Sequence, residues 1–138
     1  MRSAPPTDEM PVGGNERILF IDDELPIVKI SKELLQNLGY QVTVKTKANQ
    51  AIELFKLRPD EFDLVITDFY MPKLNGMLLV EELRKLRADI PIIMISGFVD
   101  HQTIERVKKI GVQEFLRKPL MTMEIAKVIR KVLDNAKQ

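Results

Sequence analysis

Side chains capable of phosphoryl chemistry stand at the ends of apolar runs. Ile18 to Ile21 runs into Asp22, Asp23 and Glu24, and Leu64 to Thr67 ends on Asp68. Ile92 to Ile95 ends on Ser96, and the run that closes at Leu116 is followed by Arg117 and Lys118. Crowded carboxylates in a partly desolvated site repel and call for a counter-charge, which a divalent cation supplies. Mg²⁺ takes hard oxygen ligands at about 2 Å and keeps several waters, so one or two carboxylates plus phosphate oxygens suit it. With the cation and Lys118 neutralising a transferring phosphoryl group and Ser96 donating to one of its oxygens, a carboxylate can attack phosphorus in line. Asp68 is the candidate nucleophile. Taken singly, each residue has a plainer reading as a helix cap, loop acid, turn serine or solvated lysine. Their joint order along the chain selects the chemistry.

The elements between these ends must bring them together. Residues 17–21 predict a buried strand, and Pro26 opens a helix whose apolar positions Ile27, Ile30, Leu34 and Leu38 mark an inward face before Gly39 stops it. Residues 40–44 predict a second strand, and 49–57 a second helix broken by Arg58, Pro59 and Asp60. The third strand, 63–68, delivers Asp68 into a turn rich in Pro, Asn and Gly, and a helix follows over 76–86. Pro91 opens a fourth strand, 92–96, ahead of a helix over 101–110, a fifth strand over 112–116 and a last helix over 121–134. Continuously apolar strands alternating with helices imply a parallel sheet covered on both faces, with right-handed crossovers. The carboxyl ends of such strands share one edge, where ligands bind at the reversal of strand order. That edge collects Asp22, Asp23, Asp68, Ser96 and Lys118. Adjacent Asp22 and Asp23 cannot both face one pocket by strand alternation, so the turn after the strand must redirect one.

Composition narrows the field. A chain of 138 residues can build one full core but not two sizeable ones. Hydrophobic residues at 45% and charged residues at 30% exclude disordered and membrane classes. A net charge of +1 argues against a generally basic nucleic-acid binder. Without cysteine there is no disulfide framework or thiolate site, which fits a cytoplasmic setting. No apolar run approaches the roughly 20 residues of a membrane span. Residues 1–14, with Pro5, Pro6, Pro11, Gly13 and Gly14, are expected to form a flexible tail or linker before a domain over 15–138. His101 reads as a surface residue, and Arg106, Lys108 and Lys109 as a solvated face. No Gly-rich phosphate loop follows the first strand, which argues against a nucleotide-binding enzyme.

The Asp22 and Asp23 pair, the stretch from Asp68 to Gly76 with Met71 and Pro72, Ser96 before Gly97, and Lys118 before Pro119 together resemble the receiver domain of response regulators in two-component signalling. The resemblance covers residues 16 to about 136. It implies a flavodoxin-like, doubly wound α/β fold, (βα)5, with a five-stranded parallel sheet in the order 2-1-3-4-5. It implies Asp68 as the phosphoacceptor, with Asp22, Asp23, the Asp68 carboxylate and the backbone carbonyl of Tyr70 holding Mg²⁺. Ser96 would contact the phosphoryl group, Lys118 would pair with it, and Phe115 would be the aromatic switch. The family often has a cis peptide at the position of Lys118 and Pro119, and proline permits one. Thr is commoner than Ser at position 96, which preserves the hydroxyl. Tyr70 and Phe98 fall at variable positions linked to phosphoryl lifetime.

By the same resemblance the chain is not an enzyme acting on a separate substrate but a phosphoacceptor that assists its own phosphotransfer and dephosphorylation. The implied donors are a sensor histidine kinase or phosphotransfer protein, or a small phosphodonor such as acetyl phosphate. Output would leave through the fourth helix, fifth strand and fifth helix, a face that also suits a homodimer, with no direct nucleic-acid contact and no membrane insertion. The N-terminal segment and the run from Asp63 to Gly76 point towards the terminal receiver of a hybrid sensor kinase. The competing reading is a receiver-fold module that docks or dimerises without phosphorylation, and Mg²⁺ binding discriminates the two.

Overall fold

Short aliphatic runs separated by amphipathic stretches give a regular alternation in the computed structural model, which describes residues 12–71, 74–97 and 99–137. Residues 1–11 of the expected tail, Pro72 of the central turn, and Phe98 lie outside the described residues. The strands are β1 (Arg17–Ile21), β2 (Gln41–Lys45), β3 (Leu64–Asp68), β4 (Ile92–Ser96) and β5 (Glu114–Arg117). The helices are α1 (Leu25–Asn37), α2 (Ala48–Leu57), α3 (Gly76–Leu86), α4 (His101–Lys109) and α5 (Thr122–Ala136). All strand pairs are parallel, in the order β2-β1-β3-β4-β5. This is the doubly wound α/β class expected from the sequence, with the order reversing between β1 and β3.

Each sheet face carries its own core. Leu19, Ile21, Val65, Ile92 and Met94 point to one side, where Phe55, Leu79, Leu83 and Val107 cover them. Ile18, Phe20, Leu64, Ile66, Ile93 and Ile95 point to the other, under Leu35, Ile125 and Ile129. Every residue of β3 is buried, as is every residue of β4, which explains their unbroken apolar runs. Among the described residues, no helix is long and apolar enough to cross a membrane.

Two details of the sequence reading change. Helix α1 buries Val28, Ser31 and Leu35, not the row that begins at Ile27 and Ile30. Ile30 is 65% exposed. Leu34 and Leu38 still pack at the margin of the second core, so the inward stripe is rotated by one residue. Strand β5 starts two residues later than expected. Gly111, at φ +101°, sends the Val112 N–H back to Val107 O (3.2 Å), so Val112 closes the α4–β5 turn and does not join the ladder.

The edge opposite the strands' carboxyl ends is tied by arginines. Arg17 binds Asp63 with both backbone and side-chain donors, and Arg87 donates to the carbonyls of Pro59 and Phe62. Arg84 bridges Ile90 and Gly111. Arg130 of α5 makes a two-pronged pair with Glu16 (2.9 and 2.8 Å) and reaches Asp134 (2.6 Å) and the Gly13 carbonyl (3.5 Å). Gly14 N donates to Leu38 O (3.1 Å), so residues 13 and 14, which belong to the expected tail, are bonded to the domain.

Candidate functional site

At the carboxyl end of β1 the chain turns through Asp22, whose backbone N–H donates to Lys45 O (3.2 Å) and whose Oδ1 accepts from Glu24 N (2.9 Å). This aspartate turn, a side chain bonding the backbone two residues on, decides between the adjacent acids. Asp22 is held fully buried, and Asp23 is turned out to the exposed rim.

Asp68 ends β3 at the point of strand-order reversal and is 4% exposed. Phe69 N donates to Ile95 O (2.9 Å), and Gly76 N donates to Phe69 O (2.7 Å), which draws the start of α3 against the strand end. A Cβ at Gly76 would stand 2.9 Å from Phe69 Cα and 3.0 Å from Asp68 O, so only glycine permits this approach. Asn75 caps α3 by accepting from Leu78 N (3.0 Å).

Ser96 ends β4 fully buried. Its carbonyl accepts from Lys118 N (2.8 Å), which splices the exits of β4 and β5, and the Lys118–Pro119 peptide is cis. From there the Lys118 ammonium lies 2.9 Å from Asp22 Oδ2, 3.2 Å from Glu24 Oε1 and 3.4 Å from Asp68 Oδ2. Asp23, Glu24, Asp68, Tyr70, Ser96, Gly97 and Lys118 line one open depression of about 550 Å³. Phe115 is half-buried against the first core, paired across the ladder with Met94. Tyr70 is 58% exposed and meets Phe69 edge-on at 4.7 Å.

Electrostatics mark this cluster. Burial first, and the Asp22 charge second, push the Asp68 carboxyl up to about 6 against the pull of Lys118. Burial pulls the Lys118 ammonium down, but the bond to Asp22 and the charges of Asp68 and Asp22 outweigh it and hold it above its ordinary value. One ammonium therefore answers several carboxylates. Asp22 Oδ2 is buried and accepts no hydrogen bond of standard geometry. Carboxylate oxygens of Asp22, Glu24 and Asp68 lie within 4.8 Å of one another. An all-oxygen, charge-rich set with an under-coordinated buried oxygen fits a hard divalent cation such as Mg²⁺.

The residues singled out in the sequence thus meet at one edge, except that Phe115 stands behind it and Phe98 is outside the described residues. Glu24 was missed. In sequence it reads as the third of the carboxylates that end the first strand and was not assigned to the site; its signal was that position directly after the strand, and the turn brings its Oε1 to 3.2 Å from the Lys118 ammonium.

A family model described as the response regulator receiver domain matches residues 18–130. Among curated proteins, a two-component response regulator of Arabidopsis thaliana is 35% identical over 130 residues, 94% of this chain and 23% of its own length. One from Oryza sativa subsp. indica is 35% identical over 126 residues, 91% of this chain and 20% of its own length. The chain thus spans between a fifth and a quarter of these two relatives. A solved response regulator receiver domain protein from Clostridium thermocellum superposes with a TM-score of 0.84 at 31% identity, covering 88% of this chain and 97% of the other. A receiver domain protein from Methanospirillum hungatei gives 0.81 at 27%, covering 90% and 98%.

Proposed function

The chain belongs to the response regulator receiver domain family, whose members serve phosphorylation-dependent signalling, and we propose that it is a switch operated by phosphorylation of Asp68. The observation that carries this is the Lys118 ammonium between Asp22 and Asp68 at the strand-order reversal. Response regulators receive phosphoryl groups from histidine kinases or phosphotransfer proteins. For this chain we take the donor to be a phosphohistidine of such a partner, or a small acyl phosphate.

An Asp68 carboxylate oxygen attacks phosphorus in line. The new O–P bond forms as the P–N bond to histidine, or the P–O bond to the acyl group, breaks and the leaving group departs with the bonding pair. Asp22, Asp23, the Asp68 carboxylate and the Tyr70 carbonyl would hold Mg²⁺, which supplies positive charge to the transferring oxygens when bound. Lys118 leaves its carboxylate partners to pair with the phosphoryl group, and the Ser96 hydroxyl donates to another of its oxygens. Asp68 then carries about −1.5 to −2 charges where it carried one. Ser96 is drawn towards it, Phe115 follows into the space beside β4, and the face made by α4, β5 and α5 changes its exposed surface. A ligand-like charge of this kind shifts a population already present in the resting protein.

Intact mass after incubation with acetyl phosphate, with and without Mg²⁺, tests the reading. The wild type should gain one phosphoryl group only with the metal, and Asp68→Asn should gain none. Labelling that survives the substitution removes Asp68 from its role.

A further inference from the structure

Glu24 lies outside the set of residues assigned to the site from sequence. Its Oε1 nevertheless stands 3.2 Å from the Lys118 ammonium, with its side chain 59% exposed. An isolated ion pair that exposed is worth little. Its neighbours give it weight. Its carboxylate belongs to the group with Asp22 and Asp68 whose oxygens lie within 4.8 Å of one another. In the same group Asp22 Oδ2 is buried and lies 2.9 Å from the Lys118 ammonium, in an ion pair that falls short of standard hydrogen-bond geometry. Three carboxylates share one ammonium there, which leaves a net charge of −2.

We propose that Glu24 is a further positioning residue of the cation and phosphoryl site, sharing the Lys118 ammonium with Asp22 and Asp68 and adding a third carboxylate to the field that draws the cation in. The inference rests on the switch reading above. Two effects run in the same direction. The Glu24 charge attracts a divalent ion placed among the oxygens of Asp22 and Asp68, a short distance away in a partly solvated mouth. While it is paired with Lys118 it also takes a share of the ammonium's charge, which weakens the hold of Lys118 on the oxygens that the cation needs. Neutralising Glu24 removes the attraction and releases Lys118 to compete. After screening, loss of one such charge corresponds to roughly three- to tenfold in cation affinity.

Mn²⁺ serves as the probe, with the free ion counted by electron paramagnetic resonance during titration into the full chain. Glu24→Gln should bind it roughly three- to tenfold more weakly than wild type, and Glu24→Asp should recover part of the loss. Glu105→Gln, which removes an exposed acid from α4, should bind like wild type. The ¹⁵N resonance of the Lys118 ammonium should move in Glu24→Gln without any cation, a change that a merely structural role would not produce. Wild-type affinity in Glu24→Gln, or an equal loss in Glu105→Gln, overturns the assignment. A wild type that takes up no Mn²⁺ at millimolar concentration instead removes the switch reading, and this inference falls with it.

Discussion

Replacing Gly76 with Ala tests how tightly Asp68, the proposed phosphoacceptor, is positioned by the helix that follows it. A methyl group there would stand 2.9 Å from Phe69 Cα, 3.0 Å from Asp68 O and 3.1 Å from Met94 Cε. Ordinary contact needs about 3.4 Å or more, so the start of α3 and the strand end must part by about half an ångström. Overpacking of this kind costs about 1–3 kcal/mol. Alanine's better helix propensity returns at most about 1 kcal/mol, and less at a first helical position. The net loss of about 1–2 kcal/mol should lower Tm by about 3–10 °C. The displaced atoms include the Asp68 carbonyl and the backbone after it, so phosphoryl labelling from acetyl phosphate should slow by roughly tenfold, since misplacements on this scale are costly to in-line transfer. Gly97 is the internal control: it borders the same depression, and a Cβ there meets nothing within 4 Å. Gly97→Ala should leave Tm within about 1–2 °C. Scanning calorimetry and labelling time courses on both variants decide the matter. A Gly76→Ala protein with the wild-type Tm and labelling rate would refute the claim that this close approach positions Asp68.

Asp68 itself should reduce stability at neutral pH. Its carboxyl is raised to about 6 in the folded protein, chiefly by burial, from 3.8, so the folded state binds the proton more tightly and the penalty is full above about pH 6 and absent below 3.8. Asp68→Asn should therefore be more stable by about 2–3 kcal/mol at pH 7, with the gain fading towards pH 4 in urea titrations. Glu16 has the opposite sign. The Arg130 guanidinium holds its carboxyl down at about 2 against an ordinary value of 4.5, so its contribution is full above pH 4.5 and is lost as pH falls towards 2. After discounting for solvent, that is about 1–2 kcal/mol, and Arg130→Ala should remove it and flatten acid unfolding over that window. Lys118→Met strips the counter-charge from buried Asp22 and Asp68; it should cost about 2–4 kcal/mol at pH 7, and millimolar Mg²⁺ should restore a measurable part of the Tm.

Much of this architecture is legible in the chain because burial on both faces leaves an unmistakable pattern. The runs at 64–68 and 92–96 are continuously apolar since both faces of β3 and β4 are covered, and their final polar residues announce the edge at which ligands gather. What could not be read depends on single turns. Nothing in two consecutive aspartates says which is driven inward; the bond from Glu24 N to Asp22 Oδ1 decides it, and the same bond lifts Glu24 over Lys118. The inward stripe of α1 was misplaced because Val28 and Ser31 are no more apolar than Ile27 and Ile30, and only the crossing of α1 over β1 and β2 selects between the rows. Arg84, Arg87 and Arg130 look like surface charge in sequence, since the partners that tie them across the fold lie far off: Gly111 is 27 positions from Arg84, Phe62 is 25 from Arg87, and Glu16 is 114 from Arg130.

Strand β3, buried on both faces and flanked by β1 and β4, makes Asp68 a fixed post. On the proposal that Asp68 accepts the phosphoryl group, an anchored acceptor cannot travel to meet its charge, so the movement that follows would be made by the segments leaving β4 and β5. Sensitivity to substitution should divide accordingly. On that proposal, changes within β3 should disturb the resting and phosphorylated states together, whereas changes in the exits of its neighbours should tune the balance between them.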